Sequence, residues 1–351
     1  MNTAKAITCI LALVGILIAA IAIGSVNIPP LDVVRILVYR TTGIGGLAGI
    51  PPAYATIVWT VRLPRALVAF MVGGMLSVSG AIMQSVLRNP LASSFTLGVS
   101  SGASLGAALV ILVGLPSFTF MLQTVNLESL ALPILGFAFG MLTIVAVIAM
   151  AAKMDGRMDN STIVLVGMVL SLFISAVTTL IMFLNRESFQ RLVMWQMGSF
   201  STRGSWQTAA ILAPVALVGI LLALRFHREM DIMTFGEEQS RLMGVNLGQI
   251  KWVLLMVSAA VTGSAIAFVG IIGFVDLVAP HVVRRIFGAR HRLIIPLSAI
   301  FGGGFMMLCD LAARSVLPTG ELPVGVVSAM VGAPFFAYVY FAKGGGYRAK
   351  V

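Results

Sequence analysis

Three carboxylates stand inside or at the edge of long apolar runs: Asp276, Asp310 and Glu321. An ionised side chain at the middle of a helix in lipid costs about 2.5–3.5 kcal/mol on insertion scales, so each needs a partner or a task. Asp310 and Arg314 are four apart, which lets them pair on a helix. A structural pair and a step in an ion path fit that spacing equally. Asp310 lies towards one end of its run, and the first seven runs carry no internal carboxylate. Their interior polar residues are Ser, Thr, Gly and Met, which predicts a shaped, passive path driven from elsewhere.

Other chemistries lack their residues. No G-x-x-x-x-G-K-[ST] phosphate loop occurs, so ATP hydrolysis of the P-loop kind is not expected of this chain. His227, His281 and His291 are scattered and form no H-E-x-x-H pair. No G-x-S-x-G elbow is present, and no spacing links a serine and a histidine to an acidic orienter. Cys9 and Cys309 both sit in apolar runs and read as small hydrophobes, without a disulfide or metal site. The expectation is a chain that is not an enzyme.

The elements that must position these residues are membrane spans. Of 351 residues, 59% are hydrophobic and 10% charged, against roughly 25% charged in soluble domains. The long continuous apolar runs give an all-α polytopic membrane protein, since a β-barrel would alternate in short segments. About ten spans are expected, at 6–26, 64–84, 94–114, 130–151, 161–184, 206–226, 252–272, 274–287, 293–313 and 323–342. The first is too long for a signal-peptide core and reads as a retained span. The eighth is short and broken by Pro280. Spans three, four and nine carry small-xxx-small spacing for close packing. In span three, Gly98, Gly102 and Gly106 are expected on one helical face, after an Arg88-Asn89-Pro90 turn.

With ten spans and the N-terminus inside, 15 of the 23 Lys and Arg fall on inner segments, among them Lys5, Arg157, Lys343, Arg348 and Lys350. The outer eight are Arg35, Arg40, Arg62, Arg65, Arg186, Arg191, Arg203 and Arg314. That bias places both termini in the cytoplasm. The formal charge of +11 is dispersed over loops, which argues against a nucleic-acid partner. Residues 225–251 mix charge with Ile232, Phe235, Leu242, Met243 and Val245. They suit short amphipathic helices on a membrane face or in a partner's groove, or solvated loop helices. The outer segment 185–205 also predicts a short surface helix.

Four stretches then resemble one family: VRLPR (Val61–Arg65), RNPLASSFTLGVSSGASLGA (Arg88–Ala107), IGFVDLVAPHVVRR (Ile272–Arg285) and ELPVGVVSAMVGAPFF (Glu321–Phe336). Together they are similar to the FecCD-type permeases of ABC importers, over essentially the whole chain. The resemblance implies the type II ABC importer permease fold, as a single transmembrane domain over 1–351 with the coupling loop 225–251 inside it. It implies a second permease subunit (a homodimer or close heterodimer), two ABC ATPase subunits that hold ATP and Mg, and an extracytoplasmic substrate-binding protein. The chain itself would bind no cofactor. The expected substrate is an iron chelate, a ferric siderophore first, with haem or cobalamin as alternatives, imported by alternating access across a prokaryotic plasma (inner) membrane. An ion-gradient-driven secondary transporter is the competing class, and a membrane enzyme a third.

Residue by residue, the resemblance assigns ATPase coupling to Glu237, Glu238, Arg241, Leu242 and Gly244. It assigns binding-protein docking to exposed Arg62, Arg65 and Arg314, although cations there could instead snorkel to headgroups. A translocation wall on the fifth span is expected at Met168, Ser171, Ser175 and Thr178 or Thr179. Two positions depart from the family pattern. Ser93-Ser94 stands where the family commonly has Asp-Pro or Glu-Pro, and Asp276 where it commonly has glycine.

Overall fold

The computed structural model describes residues 3–114, 117–120, 123–155, 158–317 and 320–341, without the side chains of 3–6, 117–120, 123–126, 187 and 339–341. Arg157, Lys343, Arg348, Lys350 and the Lys5 side chain, all used in the orientation rule, lie outside the described residues.

Helix α1 (Thr3–Ala22) leads to α2 (Pro30–Thr42) and α3 (Pro52–Thr56), and α3 continues through a π-helical stretch, Ile57–Arg62, into α4 (Leu63–Val86). Then come α5 (Val99–Val113), a hairpin of β1 (Ser117–Phe120) and β2 (Gln123–Asn126), α6 (Leu127–Met154) and α7 (Asn160–Leu184). Two surface pieces follow: α8 (Arg186–Gln196), and, beyond α9 (Trp206–Arg225), the short pair α10 (His227–Met233) and α11 (Glu237–Leu242). The chain closes with α12 (Leu247–Val269), α13 (Val275–Phe287), α14 (His291–Ser315) and α15 (Val324–Phe341).

Each expected span has a helix within it. Among the described residues, six helical stretches are long and apolar enough to cross a membrane, and Ile7–Ala22, Val99–Val113 and Val324–Tyr338 are shorter apolar helices. The helix before VRLPR starts at Pro52 rather than 64. Pro64 has no N–H to give to the carbonyl four residues back, and the wider π turn ahead of it, in which Leu63 N–H reaches Val58 O, carries the helix past. Helix α2 was not anticipated, because Arg35 and Arg40 read as loop charges. Its apolar Val33 and Ile36 are nevertheless fully buried.

α4 and α14 form the spine. They run antiparallel, with Arg65 beside Asp310, Gly73 against Gly302, and Ser85 beside His291. A Cβ on Gly73 would land on Gly302 O and 2.6 Å from Met306 Cβ; one on Gly302 would meet Ser77 Oγ and stand 2.5 Å from Gly73 O. Lipid tails are as apolar as leucine, so helices associate in a bilayer by close packing and polar contacts. α12 and α13 also pack on α4, and α13 crosses it at Gly80, where a Cβ would lie 2.8 Å from Asp276 Cα.

α5 packs on α6 through Gly102 and Gly106, against the carbonyls of Phe139 and Leu135. The three-glycine face expected for span three is corrected: Gly98, at φ +86°, is the left-handed residue before α5. The chain from Arg88 to Gly98 stays irregular because its hydroxyls engage elsewhere. Thr96 Oγ1 donates to Ser93 O (2.7 Å), and Ser93 Oγ accepts from Phe95 N–H (3.0 Å). Ser94 Oγ joins a buried knot with Ser79, Ser258 and Thr262.

Gly302→Leu is expected to lower the unfolding midpoint of the purified protein in detergent by the equivalent of about 1–3 kcal/mol or more, from overpacking. Gly304→Ala, whose added Cβ would meet Ile16 at an ordinary 3.6 Å, is expected to leave it nearly unchanged.

Candidate functional site

At one end of the spine, arginines hold the termini of three segments. Arg62 is 6% exposed and donates to Ile21 O (2.7 Å), Ala22 O (3.0 Å) and Val26 O (2.6 Å). Arg314 donates to Ile23 O (2.8 Å) and Ala20 O. Both guanidinium groups thus meet carbonyls at and just beyond the C-terminus of α1, where the helix leaves its acceptors unpaired. Arg65 is shared between two carboxylates, with Nη2 2.8 Å from Asp310 Oδ1 and Nη1 2.8 Å from Glu321 Oε1. The Asp310–Arg314 pair is present but longer, at 3.5 Å. The expectation of three exposed docking arginines is therefore corrected: Arg62 is buried and the side chains of Arg65 and Arg314 are mostly covered, because each has acceptors within the chain.

Glu321 is the accessible member of this cluster. A cleft of about 720 Å³ lined by Arg62, Arg65, Arg314 and Asn27 meets it from one side. A second, of about 610 Å³ and lined by Trp195, Ser199 and Arg203, meets it from the other. Hydrogen bonds from Arg65 hold the Glu321 carboxyl below its ordinary value. Burial lowers Arg203, partly offset by Glu128.

At the opposite end of the spine lies the α10–α11 loop, pinned from two sides. Lys251, on α12 and 1% exposed, donates to Glu237 Oε1 (2.6 Å) and Met158 O (2.8 Å). Asp231, on α10, accepts at Oδ1 from His291 N–H (2.9 Å) and from its Nδ1 (2.6 Å). An ionised carboxylate only accepts, so Nδ1 carries the proton. His291 Nε2 in turn meets Ser85 Oγ on α4. The corner between α10 and α11 is closed by Ser240, fully buried, whose hydroxyl donates to Ile232 O (3.1 Å) and Gly236 O (2.5 Å).

What the loop leaves outside is apolar. Leu242 is 84% exposed, Phe235 63% and Met243 57%, with Glu238, Arg241 and Gly244 exposed beside them. Of the five coupling candidates, four share this open surface, while Glu237 is turned inward to Lys251. Sequence reasoning missed Lys251, Asp231, His291 and Ser85. A lone lysine at the start of an apolar run was a usable signal for the first. Ser85 and His291 are 206 residues apart, and nothing local joins them.

The sequence matches the FecCD transport family over residues 11–342. The chain belongs to the FecCD transport family. It is 37% identical to the ABC transporter permease protein YvrB of Bacillus subtilis (strain 168), covering 95% of this chain and 92% of that one. It is 36% identical to the cobalamin import system permease protein BtuC of Halobacterium salinarum, over 83% of this chain and 75% of the relative. A solved structure described as an inward-facing conformation of a putative metal-chelate type ABC transporter superposes with a TM-score of 0.81 at 27% identity, covering 96% of this chain and 98% of that one. This FecCD chain is thus an ABC importer permease of the inner membrane, crossing it several times.

In this permease the two departures from the family pattern meet. Ser93 Oγ donates to Asp276 Oδ2 at 2.5 Å, with Asp276 2% exposed. The carboxylate that the pattern places at 93 stands across the same contact at 276. Of the expected translocation stripe on α7, Met168, Ser175 and Thr179 are exposed, Thr178 is buried, and Ser171 lies 2.7 Å from where a Gly98 Cβ would be. Ser171 donates to Gly167 O and Thr178 to Ile174 O of their own helix, while Ser175 reaches Ser101 on α5. The open face of α7 also carries large apolar side chains, with Leu172 73% and Phe173 65% exposed.

Because Glu321 is held below its ordinary carboxyl value, the Arg65 latch contributes in full above that value and is lost as pH falls through the lowered one. Melting curves across acid pH are expected to show this limb in the native chain, and Glu321→Gln to remove it. Ser93→Asp alone, which sets two buried carboxylates together, is expected to cost about 3 kcal/mol or more. Ser93→Asp with Asp276→Gly is expected to recover most of that loss in a double-mutant cycle.

Proposed function

We propose that this permease, with a second permease subunit (an identical copy first), forms the path of an ATP-driven importer for a metal chelate. A ferric siderophore is the first reading, and haem or cobalamin the alternatives. The chain is not itself an enzyme: ATP and Mg belong to two ATPase subunits on the cytoplasmic side, where both termini also lie. An extracytoplasmic binding protein delivers the substrate at the opposite end, and alternating access carries it inward. The cobalamin import relative and the superposing metal-chelate type transporter support this substrate class.

The observation that carries the reading is the α10–α11 loop. A soluble loop that exposes Phe235, Leu242 and Met243 wastes apolar area unless a partner covers it. Buried Lys251 and His291 fix its orientation, as a docking piece requires. Leu242 and Met243 would fill a groove on the ATPase, with Glu238 and Arg241 setting register. At the other end, the rim around Arg65, Arg314 and Glu321 is the docking face for acidic residues of the binding protein. Glu321 there occupies the guanidinium that a partner's carboxylate would compete for, and Arg62 serves by fixing α1.

Reconstituted in vesicles with the ATPase and binding protein, the chain is expected to take up the ligand that the binding protein retains only when ATP is hydrolysed. Leu242→Asp is expected to abolish ATPase association while leaving the melting midpoint unchanged, as suits an exposed position. Uptake on a proton or sodium gradient without the ATPase would overturn the reading in favour of a secondary transporter.

A further inference from the structure

Asp231, His291 and Ser85 stand in the order of a hydrolase relay: a carboxylate on the imidazole Nδ1 and a hydroxyl on Nε2. They do not act as one. Ser85 is 5% exposed, which leaves no approach for a substrate carbonyl, and its hydroxyl also lies 2.8 Å from Ala81 O of its own helix. The relay instead joins three elements with no short connection between them, namely α10, the first turn of α14 and the last turn of α4. Asp231 also satisfies the backbone N–H of His291, one of the unpaired donors at the start of α14. One carboxylate thus holds both the side chain and the backbone of the residue on which α14 begins.

The geometry points to Asp231–His291–Ser85 as a positioning linkage that passes displacement of the α10–α11 loop to the α4–α14 spine. The second pin, Glu237–Lys251, reaches α12, so the two pins deliver one loop's motion to separate helices. The linkage holds in either protonation state of the imidazole. With Nε2 unprotonated, Ser85 O–H donates to it. With Nε2 protonated, Ser85 accepts and gives its own proton to Ala81 O. Other groups at this end have their own partners: Arg284 donates to Gln84 Oε1 and Ala81 O, and His227 Nδ1 faces Leu224 O. The linkage is therefore mechanical and runs through Asp231, whose side chain is 37% exposed.

This inference rests on the loop being the ATPase docking segment, and the experiment separates the two. In vesicles holding the full complex, ATP hydrolysed and substrate imported are measured together for the native chain, Asp231→Ala and Asp231→Asn. Asp231→Ala is expected to bind the ATPase and hydrolyse ATP, yet to import about fivefold or more fewer substrates per ATP. Asp231→Asn, which keeps an oxygen acceptor for both His291 donors, is expected to restore the native ratio to within about twofold. Spin labels at Arg228→Cys and Arg292→Cys, with Cys9 replaced by alanine, report rigidity. Their separation is expected to stay constant between nucleotide-free and ATP-bound states in the native background and to change in Asp231→Ala. A native import ratio in Asp231→Ala, or a label separation that changes equally in both backgrounds, would overturn the linkage. Equal failure of the Ala and Asn variants would overturn it too. Failure of the native chain to bind the ATPase at all would instead remove the functional reading beneath it.

Discussion

The close approach of α4 and α14 at Gly73 and Gly302 is the contact on which the other arrangements depend. Two helix backbones that nearly touch cannot shift or rotate independently, and in a bilayer no hydrophobic force would return them if they did. Polar groups therefore secure the pair where charge is least costly. Arg65 grips Asp310 at one end and Ser85 meets His291 at the other. Twenty residues of α-helix separate Arg65 from Ser85, about 30 Å, which matches the thickness of the hydrocarbon core. The two polar contacts are thus spaced as the two boundaries of that core are, and the apolar middle packs through small residues. α1 joins this unit through its C-terminal carbonyls, held by Arg62 from the α4 side and Arg314 from α14.

The spans, the short helices of the two long loops and the family motifs were legible because each is a local property: hydropathy over some twenty residues, an amphipathic turn, a run of motif residues. The polar contacts were not. Asp310 and Arg314 invited a pairing because they are four apart, yet Arg65, 245 residues away, takes the carboxylate at 2.8 Å and leaves Arg314 at 3.5 Å. A guanidinium approaching from a neighbouring helix can present two parallel N–H groups, a geometry less accessible from the same helix. The arginines expected on the outer side stood out in the sequence as cations where few are usual, but their partners within the chain did not. A helix end with unpaired carbonyls attracts a guanidinium as an acidic group does.

The same distinction explains the serines. As single letters, Ser79, Ser94, Ser258 and Thr262 look like incidental small residues in apolar runs. Folded together, they satisfy one another where water cannot reach. Ser93 and Asp276 form another such site. Here one buried carboxylate is met by one hydroxyl donor from across the contact. Sequence shows two unrelated departures, and only their contact shows one.

The distribution of buried polar groups also bears on how motion travels. The helix interiors offer small residues and buried hydroxyls, some bonded to their own helix and others, as at Ser79, Ser258 and Thr262, to one another across helices. The ion pairs with a partly exposed member are at the ends: Glu321 on Arg65, reached from two clefts, and Asp231 on His291. Gly73 and Gly302 hold the α4–α14 pair at its centre, so rearrangement of that pair is least obstructed at these ends. Cores switch between discrete packings rather than deforming smoothly. A spine with one close crossing and partly exposed polar contacts at both ends leaves those ends as its most adaptable surfaces.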